Sequence, residues 1–190
     1  MPPLPDPLHP VVVHFPIVFA VLLPWIALGV PLATSRGWLP RRAWAGVVLA
    51  AALVAGAGWM AEETGEDQEK RVEKVVAKDL VEQHAERAEH FVELAVVTAL
   101  LATGGFLGGR PGRMARIATV VASLVVLGAV VLTAKSGGEL VYKHGAANAY
   151  LPKPPALAPA KTSPVGEPDA PGESRDAPAG ALKPSLGGEP

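Results

Sequence analysis

The stretch VVVHFPIVFAVLLPWIALGVPLAT, residues 11–34, contains no Asp, Glu, Lys or Arg. A helix rises about 1.5 Å per residue, and roughly 20 apolar residues cross the hydrocarbon core of a bilayer. We therefore expect 11–34 to form a transmembrane helix. Three further apolar stretches, 43–61, 91–108 and 115–134, are long enough to do the same. The sequence thus predicts an all-α, integral membrane four-helix bundle within residues 1–150.

The composition agrees with a membrane protein and excludes several other classes. Of the 190 residues, 49% are hydrophobic and only 18% are charged, which is too apolar for an ordinary water-soluble domain. The net charge of −1 offers no basic excess for binding nucleic acid. The chain has no cysteine, so disulfides, thiolate metal sites and covalently attached haem are excluded. A cleaved signal peptide is not expected, because no Lys or Arg precedes the first apolar run.

The basic residues predict an orientation. The two short connections, 35–42 and 109–115, contain arginines but no acidic residue. By the positive-inside rule these connections face the cytoplasm. With four spans, both termini and the middle segment 62–90 then lie on the extracytoplasmic side of a bacterial inner membrane. Aromatic rings near the span ends are expected to anchor the helices in the headgroup layer of the lipid bilayer, namely Trp38, Trp44, Trp59 and Tyr142.

Two segments lie outside the predicted spans. In the middle segment, Val72, Val76 and Leu80 recur at helical spacing among charged residues, which predicts an outer helical extension of the third span. Residues 151–190 contain ten prolines, five glycines and no aromatic residue. Such a composition cannot bury enough apolar surface to offset the entropy of ordering, so we expect a disordered tail that acts as a solvated tether. If the protein is an envelope scaffold, this tail is expected to reach its partner.

Five histidines are predicted to lie on one side of the membrane: His9, His14, His84, His90 and His144. His84 lies four residues after Leu80 and three after Val81, which places it on the apolar face of its helix. His90 is rotated by about 240° from His84 at 100° per residue. His14 lies within an apolar helix, so its ring is expected to find a partner on a neighbouring helix.

These histidines indicate a cofactor site of one of two kinds. Neutral imidazoles on facing helices of a bundle are a common way to hold b-type haem, and the expected ligands are His14, His84 and His144. A metal ion is the alternative, and in that case His9 is expected to join the same three residues.

Several acidic residues have structural explanations. Glu139 precedes Lys143 by four residues, which is the favourable order for a helical ion pair. His90 follows Glu86 by four residues and precedes Glu93 by three, so a carboxylate hydrogen bond is expected there. Glu93 is also the acid inside a predicted span, and this makes it a candidate proton-relay group.

Four motifs together resemble a known family. They are LHPVVVHFP at 8–16, TGED at 64–67, His84 before the third span, and GGELVYKHG at 137–145. Over about residues 8–146 the chain resembles the bacterial membrane family called domain of unknown function 2231. The resemblance implies four transmembrane helices and a histidine pattern that His9, His14, His84 and His144 match. It implies no established reaction, but relatives joined to cytochrome-like domains suggest electron transfer.

Three functions are compatible with these features. The first is a non-catalytic redox module that binds b-type haem or a metal ion and exchanges electrons with a partner protein. The second is an envelope scaffold without a cofactor. The third is a carrier of protons or metal ions that uses Glu93 and the histidines. No phosphate-binding loop or hydrolase motif is present in the sequence, so enzymatic activity is not expected.

Overall fold

The computed structural model describes residues 7–152. Its main elements are α1 (His14–Ser35), α2 (Ala45–Val72), α3 (Lys78–Thr103) and α4 (Gly109–Tyr142). A helical turn, His9–Val12, precedes α1, and three short 3₁₀ helices, Arg41–Trp44, Gly104–Phe106 and Ala146–Tyr150, adjoin the long helices. No β-strand occurs between residues 7 and 152, which confirms the predicted all-α fold. The predicted disordered tail lies outside the described residues except for 151 and 152.

The bundle places small residues inside and large apolar residues outside. Alanines that are almost inaccessible to solvent include Ala20, Ala27, Ala51, Ala95 and Ala102. In contrast, Trp25 is 71% exposed and Leu100 is 66% exposed. Small interface residues let helix backbones approach closely, and an apolar exterior suits hydrocarbon as its solvent. In the described residues, four helices are long and apolar enough to cross a membrane.

Buried hydroxyl groups in the bundle are satisfied within their own helices. Thr98 donates to the Leu94 carbonyl at 2.7 Å, and Thr119 donates to the Ala115 carbonyl at 2.8 Å. Within the described chain no buried side-chain nitrogen or oxygen lacks a hydrogen-bond partner. Polar groups need such hydrogen-bond partners wherever water is excluded, because an unpaired polar group in hydrocarbon costs several kcal/mol.

The helices extend beyond the predicted spans at the end where α2 and α3 meet. The sequence predicts that only the third span continues outward, but α2 also continues to Val72 and α3 begins at Lys78. The outer extension is therefore a helical hairpin closed by the turn 73–77. A small apolar cluster stabilises it, because Val76 and Val81 pack there with Leu140 from α4 and Ala146. We call this end, which carries His9 and His84, the histidine end.

The opposite end, which carries Arg36, Arg42, Arg113 and Arg116, we call the arginine end. Here the predicted headgroup anchor Trp44 is instead buried, with 1% of its surface exposed. Its indole N–H donates to the Ala102 carbonyl at 2.7 Å. Ala102 lies in the last turn of α3, where the regular hydrogen bonds between residues four apart come to an end. The prediction for Trp44 was wrong because a buried carbonyl and a closely packed glycine, Gly105, hold the ring inside the bundle.

Trp38, Trp59 and Tyr142 remain on the surface. Their exposed fractions are 73%, 60% and 89%, respectively. All three can therefore reach a headgroup layer, as the sequence predicts.

Candidate functional site

The His9 ring is held against α2. Its Nδ1 lies 2.8 Å from the Ala61 carbonyl oxygen and 3.3 Å from Thr64 Oγ. A carbonyl can only accept a hydrogen bond, so Nδ1 carries a hydrogen and donates it to Ala61. Nε2 is consequently the ring nitrogen that can offer a lone pair.

The His84 ring is held in the same way against α4. Its Nδ1 lies 2.8 Å from Ser136 Oγ, and the Ser136 hydroxyl donates to the Thr133 carbonyl at 2.8 Å. Both contacts are satisfied when the Ser136 hydrogen goes to the Thr133 carbonyl and the Ser136 oxygen accepts from Nδ1–H of His84. Nε2 of His84 is therefore also the nitrogen with an available lone pair.

Two glycines make room for these rings. A Cβ atom on Gly65 would lie 3.2 Å from Cε1 of His9, and a Cβ atom on Gly137 would lie 3.0 Å from Cε1 of His84. Each imidazole thus packs directly over the backbone of a neighbouring helix. The glycines are part of the site because a larger residue at either position would displace a ring.

The structure brings His9 and His84 together. Their ring centroids lie 6.4 Å apart, and the ring planes are inclined at 81°. Both residues are half-buried. The site is therefore a pair of imidazoles from the start of the chain and from α3, each with its Nδ1 hydrogen bonded to a different helix.

The structure does not bring His14 and His144 to this pair. Both side chains are exposed, whereas the sequence predicts a buried partner for His14 and convergence of His14, His84 and His144. His14 follows His9 by five residues and so lies about 140° around the helix from it. His144 lies beyond the end of α4, where the backbone leaves the bundle. Among residues 7–152 no three His, Cys, Asp or Glu side chains form a metal-binding group.

The acidic residues and His90 adopt the predicted structural roles. His90 is exposed, and its Nδ1 lies 3.4 Å from a carboxylate oxygen of Glu93. Lys143 donates to Glu139 at 2.8 Å. The Glu93 side chain is itself 65% exposed, which is the position of a surface carboxylate rather than of a buried relay group.

Sequence reasoning did not identify Ser136, Gly65 and Gly137 as parts of the site. The two glycines themselves are a signal in the sequence. A glycine within a helix lowers helix stability by about 1 kcal/mol relative to alanine, so its presence usually has a packing reason. Gly65 and Gly137 each lie inside one of the quoted motifs, TGED and GGELVYKHG. Their identity therefore indicates close approach by another group, although it does not say which group.

Comparison with known proteins gives a family but no characterised relative. No curated protein and no solved structure matches the chain. A family model described as "Predicted membrane protein (DUF2231)" matches residues 5–150. This match covers well over half of the chain, including all four long helices and the histidine pair. The chain therefore belongs to the family of predicted membrane proteins called domain of unknown function 2231.

Proposed function

We propose that this membrane protein holds one copper(I) ion at the histidine end, between Nε2 of His9 and Nε2 of His84. The observation that carries the proposal is the shared setting of the two rings, since each Nδ1 lies 2.8 Å from an oxygen of a neighbouring helix that can accept its hydrogen. Metal-bound histidines almost always donate their other N–H to a carbonyl or another fixed acceptor, which orients the ring and sets its tautomer. Ala61 and Ser136 supply those acceptors here.

The number of ligands favours copper(I) over other metals. Two imidazole nitrogens suffice for this d¹⁰ ion, whereas zinc almost always takes four ligands in structural sites. The described residues offer a pair of histidines and no third His, Cys, Asp or Glu ligand beside them. Two metal–nitrogen bonds of about 2 Å in a line would separate the ring centroids by about 6 Å, close to the 6.4 Å between His9 and His84.

The b-type haem hypothesis fits this arrangement poorly. Two of its expected ligands, His14 and His144, are exposed. The paired rings of His9 and His84 already contact the backbones of α2 and α4 at Gly65 and Gly137. A porphyrin is much wider than an imidazole, so a macrocycle bound to either Nε2 would collide with those helices.

We place the histidine end outside a bacterial cytoplasmic membrane. Arginines without neighbouring acidic residues at the arginine end support this orientation through the positive-inside rule. In that position, the His9–His84 pair would store or present copper(I) to an envelope protein. A two-coordinate site between half-buried imidazoles favours the reduced ion, so the proposed role is copper binding and transfer without catalysis.

The test measures copper in the full chain purified in detergent. We expect about one copper per chain, retained against a competing copper(I) chelator and measured by elemental analysis. His9→Ala and His84→Ala should each lower copper affinity at least 100-fold, because one nitrogen cannot complete the site. Ser136→Ala should lower copper affinity about 10-fold to 100-fold, because the His84 ring loses the acceptor that orients it.

Three histidines provide matched controls, since His14→Ala, His90→Ala and His144→Ala alter exposed residues away from the pair. Each should leave copper affinity unchanged. Equal loss from all five substitutions, or full-length protein that binds no copper(I) when copper is supplied, would refute the proposal. In the second outcome the pair would serve helix packing, and an envelope scaffold would become the better hypothesis.

A further inference from the structure

A groove between α1 and α4 opens at the arginine end. Its cavity of about 400 Å³ is lined from α4 by Arg113, Arg116, Ile117 and Val120, and from α1 by Leu28, Pro31 and Ser35. A second cavity of about 250 Å³ shares Leu28 and Val120 with the first. The groove thus has a cationic mouth, formed by Arg113 and Arg116, beside an apolar channel, formed by the second cavity. This is the polarity of a lipid molecule.

The second cavity is lined by apolar side chains throughout. Besides Leu28 and Val120 it contacts Pro24, Leu124 and Leu127, together with the ring of Trp25. It follows α1 and α4 towards the middle of their apolar spans. A hydrocarbon chain can occupy such a channel, whereas a free anion gains nothing from it.

Arg116 is already positioned at the mouth. Its Nε donates to the Gly105 carbonyl at 2.9 Å. Its guanidinium carbon lies 5.5 Å from the ring centroid of the buried Trp44, within range of a cation–π contact. These two contacts fix the plane of the guanidinium group and leave its terminal N–H groups as donors, which favours recognition of a phosphate.

Within residues 7–152 no ion pair joins a carboxylate to Arg113 or Arg116. The sequence contains no Asp or Glu at residues 7–61 or 94–138, which include the whole arginine end. Glu82, Glu93 and Glu139 pair instead with Lys78, His90 and Lys143, respectively. A pair of arginines without a carboxylate partner among residues 7–152 is complementary to an anionic headgroup.

We propose that this groove binds one anionic phospholipid. Its phosphate would lie on Arg113 and Arg116, and one acyl chain would follow the channel past Leu28 and Leu124. A lipid fits this groove better than a free phosphate does, because the charged cavity adjoins the apolar one at Leu28 and Val120.

The experiment uses the delipidated full chain in detergent and native mass spectrometry. Phosphatidylglycerol should form a one-to-one adduct that survives collisional activation, and phosphatidylcholine should bind at least 10-fold more weakly. Inorganic phosphate at equal concentration should not displace the lipid. Arg113→Gln combined with Arg116→Gln should lower phosphatidylglycerol binding at least 10-fold, while Arg110→Gln, an arginine outside the groove, should not.

A second variant tests the apolar channel independently of charge. Leu124→Trp adds a ring to the channel and should also lower lipid binding several-fold, with unchanged thermal unfolding in the delipidated state. Arg113→Gln alone, at an exposed residue, provides a milder charge variant if the double variant folds poorly. Equal binding of phosphatidylcholine, competition by inorganic phosphate, or no effect of Leu124→Trp would each overturn the proposal.

Discussion

Replacing Gly105 by alanine should destabilise the bundle by displacing Trp44. A Cβ atom at position 105 would lie 2.9 Å from Cζ2 of Trp44 and would overlap Nε1 and Cε2 of the same indole. The ring cannot move outward freely, because it is 1% exposed and packs with Ala27 and Val47. The substitution therefore forces either the indole or the 3₁₀ helix Gly104–Phe106 to shift.

Two energetic costs follow from this shift. Overpacking a well-packed interior typically costs about 1–3 kcal/mol. Displacing the indole also breaks the buried bond from Trp44 Nε1 to the Ala102 carbonyl, and leaving a buried donor unpaired costs about 1–3 kcal/mol. A gain of up to about 1 kcal/mol from the lower chain entropy of alanine opposes these costs. We expect the free energy of unfolding to fall by about 3 kcal/mol.

The assay is reversible unfolding in mixed micelles, with increasing sodium dodecyl sulfate and helical circular dichroism as the signal. Gly128→Ala is the matched control, because a Cβ atom there meets no heavy atom within 4 Å. It should leave stability unchanged or raise it slightly. The double variant Gly105→Ala with Trp44→Phe should be less destabilised than the sum of the single variants, since the smaller ring relieves the overlap. Equal unfolding curves for Gly105→Ala and Gly128→Ala would refute the reasoning.

Two further predictions address the core and the topology. Gly58→Ala should lower the free energy of unfolding by about 1–3 kcal/mol, because its Cβ atom would lie 2.9 Å from Cε1 of the buried Phe91. An unchanged midpoint in the micelle titration would contradict this prediction. Alkaline phosphatase fused to the C-terminus should be active, because both termini are predicted to lie outside the cytoplasm. An inactive fusion, together with an active cytoplasmic reporter at the same position, would show the opposite orientation.

The helices were predictable from sequence because apolar length alone identifies a membrane span. Their ends were less predictable, since hydropathy detects only the part of a helix that lies in hydrocarbon. The extension of α2 to Val72 depends on packing instead. Val76 and Val81 from the hairpin meet Leu140 from α4, and these contacts are remote in sequence.

The histidine pair was only partly predictable. In α3, charged residues alternate with apolar ones, so helical phase correctly separates the half-buried His84 from the exposed His90. The first helix is apolar around most of its circumference, so it has no polar stripe to distinguish His9 from His14. The choice between them depends on the register of α1 against α2, which the sequence of one helix does not contain.

At both ends of the bundle, an aromatic or imidazole ring packed over a glycine of a neighbouring helix fixes the helix register. At the arginine end, Trp44 packs over Gly105 and donates to the Ala102 carbonyl. At the histidine end, His9 packs over Gly65 and donates to the Ala61 carbonyl. In lipid the hydrophobic effect does not drive helices together, so close packing and hydrogen bonds between helices must select their rotation and axial position. A ring opposite a glycine supplies both contacts at once, because the ring can reach a backbone carbonyl only where no Cβ atom intervenes. A bundle of interchangeable alanines and valines would pack in several registers, whereas rings that pack over glycines at both ends favour the register in which all of these rings are satisfied.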